Sequence, residues 1–448
     1  MTAESISIGC GSADAAERID WPTELAESGL VTYMGFDSLA ERTMAFAHAR
    51  KMADPEKGYN EHLPRTIPAF APFVSRGGRI ATNQGGANPD AAGRLIVDKL
   101  RELGYGGSGL KVGIVHGDDC LDQVLAQDID LPEIGTSVRQ LGDRVVGAYA
   151  YIGAEPIVEA LEQGANWVIG GRLADPSCYV GPICHELGWA LDDWEKVGVA
   201  TAVGHTLECG QHVTGGNFSD PGKRMFDGME KLGFPYATVN QDGSFVVSKT
   251  PNTGGGVTRD TVRAQLSYEV HDPARYFTPD VTADFQNAYV EDLGDDRVRV
   301  SGISGTARPD TLKVLVGVDW GYRVIGFTMM GGPNCLARAK FVEEILRKRI
   351  EQYGDAVHAL HFGYVGYNSL YGDAYTTKDP AEIMLRCAVL VRDKEVADAI
   401  AEEVGKQAVW ITVGQGGTNL LQNSRHIAPT PIYLPRDQFK LTAEIVSV

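Results

Sequence analysis

Four polar segments carry residue types at spacings that could do chemistry. The densest is Gly204-His205-Thr206-Leu207-Glu208-Cys209-Gly210-Gln211-His212-Val213-Thr214. On a helix, His205, Glu208 and His212 stand at i, i+3 and i+7 and share a face, a spacing able to hold a metal. Gly204 and Gly210 weaken the helical assumption. The favoured reading is therefore a metal-free acid–base pair, in which Glu208 fixes the tautomer and pKa of the His205 imidazole, with a core histidine satisfied by its neighbours as the plain alternative. Thr214 closes the segment as a candidate substrate contact. The second segment is Thr82-Asn83-Gln84-Gly85-Gly86-Ala87-Asn88-Pro89-Asp90. Gly85 and Gly86 let backbone N–H groups approach an anion at a helix start, while Asn83 and Asn88 can orient a carbonyl or carboxylate. The competing structural reading is a tight turn capped by Asn88.

The third segment, His116-Gly117-Asp118-Asp119, pairs two carboxylates that could divide into acid and base or hold Mg²⁺. One of them is expected to cap the following helix, which leaves one chemical role, given to Asp119. The fourth, Gly170-Gly171-Arg172-Leu173-Ala174-Asp175-Pro176, supplies Arg172 as a bidentate anchor for a carboxylate or phosphate, with Asp175 beside it. A structural Arg172–Asp175 pair is the plain alternative. Asn419, in Gly414-Gln415-Gly416-Gly417-Thr418-Asn419, adds a candidate substrate contact from the second half.

These segments follow short β-rich runs: Ile6–Gly11, Val31–Asp37, Arg79–Gly86, Lys111–Asp119 and Trp167–Arg172. Between them, Leu39–Met52, Pro89–Leu103 and Glu155–Glu162 show apolar residues at three- and four-residue spacing. Alternation of this kind predicts an α/β fold, a parallel sheet with helices on both faces, whose ligands sit beyond the strands' carboxyl ends. From about residue 225 the pattern changes. Tyr236–Lys249, Tyr289–Ser301 and Leu312–Met330 read as strand pairs, the last turning near Asp319-Trp320-Gly321, with helices at Val257–Val270, Leu336–Tyr353 and Lys394–Lys406. Two domains are expected, an α/β domain over 1–224 and an α+β domain with a largely antiparallel sheet over 225–448. Tyr364, Tyr367, Tyr371 and Tyr375 are assigned to core packing.

The balance of 41 basic against 59 acidic residues gives a net charge of −18, which argues against a nucleic-acid partner. No apolar run is long enough to span a bilayer and no secretory leader is visible, so the expected location is the cytoplasm. Seven scattered cysteines without C-x-x-C offer neither a disulfide scaffold nor a structural zinc site. Walker-type, G-x-S-x-G and H-E-x-x-H motifs are absent. Gly9-Cys10-Gly11 is too short a match for a dinucleotide loop, and no cofactor is expected. Glycine is abundant, 53 of 448 residues, and its clusters are expected to form tight loops converging on one pocket between the domains.

In IGCGS, TNQGGANP, YIGAEPIVEAL with IGGRLADPS, GHTLECGQHVTGG, SFVVSKTPNTGGGV, FTPDVTADF, DTLKV and GGPN, the chain resembles the acyclic terpene utilisation family, AtuA-type. His212 departs from that family's pattern. The resemblance implies a protein encoded together with enzymes that handle acyl-CoA thioesters of branched acids, and by itself implies no particular reaction. Longer members carry a small C-terminal ferredoxin-like domain, which makes a separate small ferredoxin-like subunit an expected partner, beside a homo-oligomer. The function expected is a lyase of hydratase type acting on a small carboxylate or acyl-CoA thioester. His205 and Glu208 would move protons, Arg172 would anchor the anion, and Asn83, Gly85 and Gly86 would bind the carbonyl oxygen. A metal-dependent hydrolase or transferase, and a non-catalytic subunit of an acyl-CoA complex, are the alternatives.

Overall fold

The computed structural model describes residues 3–374, 376, 380–405 and 411–448. The chain divides into two compact units. Unit 1 comprises Met1–Gln140, Gly147–Val316 and Pro429–Val448, and unit 2 comprises Leu141–Val146 and Gly317–Ala428.

Unit 1 is built on a ten-stranded sheet. Its centre is parallel: Ser5–Ser12, Tyr33–Phe36, Arg79–Thr82, Trp167–Ile169 and Lys111–His116 lie side by side in that order. Side-chain alternation sends neighbouring residues to opposite faces. Phe36 meets Phe70 of the helix Leu63–Ser75 edge-on, with ring centroids 4.9 Å apart. A Cβ on the preceding Gly35 would instead strike Tyr179 of the helix Ser177–Leu187. Likewise Ile114 fills the space beside Gly93 of the helix Pro89–Leu100, and Gly113 leaves room for Ala160 of Glu155–Glu162. Helices thus cover both faces of the sheet's parallel centre, and nearly continuous burial along its short strands follows from that double cover.

Antiparallel strands extend both edges. Pro235–Asn240 pairs with the first strand, followed outward by Phe245–Lys249, Val298–Ser301 and Tyr289–Asp292. At the other edge Thr442–Ser447 runs antiparallel to Lys111–His116.

Unit 2 has the order strand, helix, strand, strand, helix, strand: Thr311–Gly331, Cys335–Glu351, Val357–Val365, Glu382–Val391, Lys394–Gly405 and Gln415–Pro435. The first of these strands begins and the last of them ends in residues that belong to unit 1. Their spatial order places Glu382–Val391 between Val357–Val365 and Thr311–Gly331, both pairings antiparallel, and Gln415–Pro435 on the far side of Thr311–Gly331. This is the split βαβ arrangement of ferredoxin-like units. The expected hairpin over Leu312–Met330 is instead one strand. Gly321 takes φ +90° and its N–H donates to Asp319 Oδ1 at 2.8 Å, so the chain kinks there without reversing. Tyr364 and Tyr367 pack against the unit's core, Tyr371 is 70% exposed, and Tyr375 lies outside the described residues. All seven cysteines are free. Among the described residues no helix is long and apolar enough to cross a membrane.

Candidate functional site

The carboxyl ends of the parallel strands hold a buried polar cluster, and Arg172 is its hub. Its residue is 0% exposed. Arg172 Nη1 donates to Leu39 O at 2.8 Å, Nη2 pairs with Asp175 Oδ1, and Cζ lies 4.2 Å from the Tyr151 ring centroid. Its main-chain N–H donates to Asp118 Oδ2 at 2.7 Å. Both Nη groups are therefore committed within the protein, while among the described residues the buried Nε has no hydrogen-bond partner, and Asp175, with 40% of its side chain exposed, is the member that reaches outward. The carboxylates near this one cation, Asp37, Asp175 and Glu208, crowd one another. Burial, then the Asp175 charge, pushes Asp37 well above the usual carboxylate range, against the pull of Arg172.

Asn83 serves Asp37. Its Nδ2 donates to Asp37 Oδ1 at 2.5 Å and its Oδ1 accepts the Ser38 N–H at 2.8 Å. Asp37 escaped sequence reasoning because it stands alone in Phe36-Asp37-Ser38, and its position at a strand end was the one available signal.

His205 and Glu208 do come together. His205 lies in the last turn of the helix Trp194–Leu207 and Glu208 caps that helix, with Nδ1 3.0 Å from Oε1. His205 is 1% exposed and Glu208 7%. His212 does not join them, because the helix ends and Gly210 takes φ +53°. It packs edge-on against Tyr268 in a separate 3₁₀ turn. Burial, helped by the charges of Asp175 and Glu269, pushes Glu208 well up, against Arg172. Burial lowers His205 to about 4, against main-chain carbonyls of Gln265 and Tyr268 and the charges of Glu269 and Asp175. A neutral carboxyl beside a neutral imidazole is the state these directions favour. His205 Nε2 and Glu208 Oε2 are buried, and among the described residues neither makes a hydrogen bond of good geometry. Leaving such atoms unpaired costs about 1–3 kcal/mol each, the kind of cost a functional site tolerates. Phe285 stacks on the imidazole at 5.9 Å and Tyr276 lies at 5.0 Å, its hydroxyl 3.4 Å from Nδ1.

Beside this cluster lies a cavity of about 480 Å³, wholly within unit 1. Asp175, Tyr151, Tyr276 and Lys313 line it, with apolar walls that include Pro279, Pro309 and Leu312. Lys313 Nζ is 2.9 Å from Glu41 Oε1, to which Tyr151 also donates at 2.8 Å. Burial would raise Glu41, but these two partners hold it at about 2. Lys313 falls within DTLKV and Tyr276 directly precedes FTPDVTADF, but neither pattern marks a site residue; only the folded chain brings both to the cavity.

The remaining sequence candidates take other places. Gly85 N–H donates to Gly170 O at 3.0 Å and Gly86 N–H to Asn83 O at 3.1 Å. A Cβ on Gly85 would sit 2.4 Å from Gly170 O, so these glycines let two strand ends touch. Asn88 caps the helix from Pro89, accepting the Ala91 N–H at 3.3 Å, while its Nδ2 donates to Pro55 O and Lys57 O. Asp119 is exposed, 3.5 Å from Lys51 Nζ, whereas its neighbour Asp118 is buried and burial lifts it to about 6. Thr214 is buried and donates to Gln211 O at 3.2 Å. Asn419 is exposed and belongs to unit 2. The glycine clusters meet in pairs, Gly85 with Gly170, Gly256 with Thr214 and Gly331 with Gly414. Burial pushes the thiols of Cys178 and Cys209 up, which disfavours a thiolate nucleophile at either. Among the described residues no group of three His, Cys, Asp or Glu side chains is placed to hold a metal ion.

The family model described as acyclic terpene utilisation family protein AtuA matches residues 6–445, so the chain belongs to this family. Comparison with curated proteins and with solved structures gave no match.

Proposed function

We propose that this member of the acyclic terpene utilisation family is a catabolic enzyme of hydratase or dehydratase type, acting on a small carboxylate or acyl thioester. One observation carries the reading: a buried His205–Glu208 pair, Nδ1 3.0 Å from Oε1, set beside a cavity of about 480 Å³. The cavity falls in the size range of small-molecule sites. Adding or removing water beside a carbonyl needs a group that gives a proton and one that takes it. Opposite pKa displacements on adjacent side chains separate those two roles. Arg172 keeps Asp175 in place, and Lys313 on the cavity wall is the cation that faces an anionic group of the substrate. Asn83 acts through Asp37, holding that carboxyl at the strand end.

The test is hydration of crotonyl-CoA, and dehydration of 3-hydroxybutyryl-CoA, within a panel of acyl thioesters and free acids. Turnover of at least one member is expected. His205→Ala is expected to lower kcat by at least ~10²-fold. Full activity in that variant refutes the roles given to the pair.

A further inference from the structure

His205 and Glu208 do not themselves line the cavity; Tyr276 does, with its hydroxyl 3.4 Å from His205 Nδ1. We propose that Tyr276 is the catalytic residue that meets the substrate, and that it relays protons between the cavity and the buried His205–Glu208 pair. The proposal rests on the reading that the cavity takes the substrate.

Three features support the relay. The Tyr276 ring packs against both the imidazole, at 5.0 Å, and Phe285, at 5.4 Å, in a three-ring cluster that sets its hydroxyl toward His205. Nδ1 is shared, with Glu208 Oε1 at 3.0 Å and the Tyr276 hydroxyl at 3.4 Å. Burial, with the Asp175 charge, keeps the resting phenol protonated, ready to donate.

In the delivering direction, the Glu208 Oε1–H bond breaks and an Nδ1–H bond forms, leaving a carboxylate beside an imidazolium. Tyr276 gives its hydroxyl proton to the substrate and its oxygen takes the Nδ1 proton, which returns the imidazole to neutral. The net change is one proton moved from Glu208 to substrate, with phenol and imidazole restored. The reverse sequence removes a proton. Asp175 lies on the same cavity wall and Glu269 acts on both the histidine and the carboxyl; both charges favour the transient imidazolium.

Tyr276→Phe keeps the ring and deletes the hydroxyl. With crotonyl-CoA as probe, kcat is expected to fall about 10²-fold while KM stays within about threefold, the loss typical of a removed acid–base group. The thermal midpoint should stay near wild type. A second arm needs no turnover: in ¹⁵N NMR of the full-length protein, the His205 ring resonances should shift in Tyr276→Phe and in Glu208→Gln. Wild-type kcat in Tyr276→Phe, or unchanged His205 resonances, overturns the relay. If wild type fails on the entire thioester panel while the resonances shift, the substrate reading fails and the Tyr276–His205 link stands.

Discussion

Replacing Arg172 by methionine removes the hub of the buried cluster while nearly preserving its volume. Three contacts are lost. Leu39 O, in a residue 6% exposed, loses its donor, which costs about 1–3 kcal/mol for a buried acceptor. The stack on Tyr151 contributes ~0.5–2 kcal/mol. The ion pair with Asp175 adds little, because that carboxylate is 40% exposed and rehydrates when its partner leaves. Asp37 and Glu208 lose the one cation that opposes their upward displacement and remain protonated. The sum is about 2–5 kcal/mol, a large share of the stability of an ordinary domain. Urea unfolding at pH 7, followed by tryptophan fluorescence, measures it. Arg172→Lys should recover only part of the loss, since a single ammonium cannot reproduce the planar fork shared by Leu39 and Asp175. A loss below about 1 kcal/mol in Arg172→Met would refute the placement of Arg172 as hub.

Glu208→Gln should lower kcat on an accepted thioester by ~10²–10⁴-fold. The double variant with His205→Ala should fall little further than the worse single one, since the two act as a unit; multiplicative losses in steady-state kinetics would contradict this. Asp118 has its folded-state pKa raised to about 6, above the ordinary value of ~3.9, so the stability it carries is whole below pH ~4 and is lost as pH rises through about 6. Asp118→Asn keeps an oxygen for the Arg172 N–H and should flatten that part of the urea midpoint's pH profile; an unchanged profile would contradict the burial argument. Gly85→Ala drives a Cβ to 2.4 Å from Gly170 O, whereas Gly77→Ala, at φ +94°, meets open space. The first should lower the thermal midpoint clearly more than the second, whose cost is about 1–2 kcal/mol of backbone strain. Equal losses would show that the two loops do not need their close approach.

Local signals in the sequence were strong where one element decides. Glu155–Glu162 appears over the predicted range, Arg79, Lys111 and Trp167 each open a strand, and Asn88 caps the helix that Pro89 starts. The His205–Glu208 pairing was legible because i, i+3 on one helical turn is local geometry. Sheet order was not, because pairing Pro235–Asn240 with Ser5–Ser12, or Thr442–Ser447 with Lys111–His116, joins residues hundreds of positions apart. Burial was equally opaque: Asp118 and Asp119 read alike in sequence, yet one braces Arg172 from the interior and the other faces Lys51 at the surface. Arg172 looked like an anchor for a ligand, but its Nη groups go to Asp175, the plain alternative at i+3, and to Leu39 O, which no spacing rule anticipates. Tyr276 and Lys313 become neighbours of the site only through the folded chain.

The most direct test of the central claim is deuterium entry at C2 of 3-hydroxybutyryl-CoA in D₂O, read by mass spectrometry for wild type and His205→Ala. Deuterium should enter with wild type, and its rate should fall at least ~10²-fold in the variant. Exchange at the wild-type rate in His205→Ala would contradict the claim that the buried His205–Glu208 pair moves the proton.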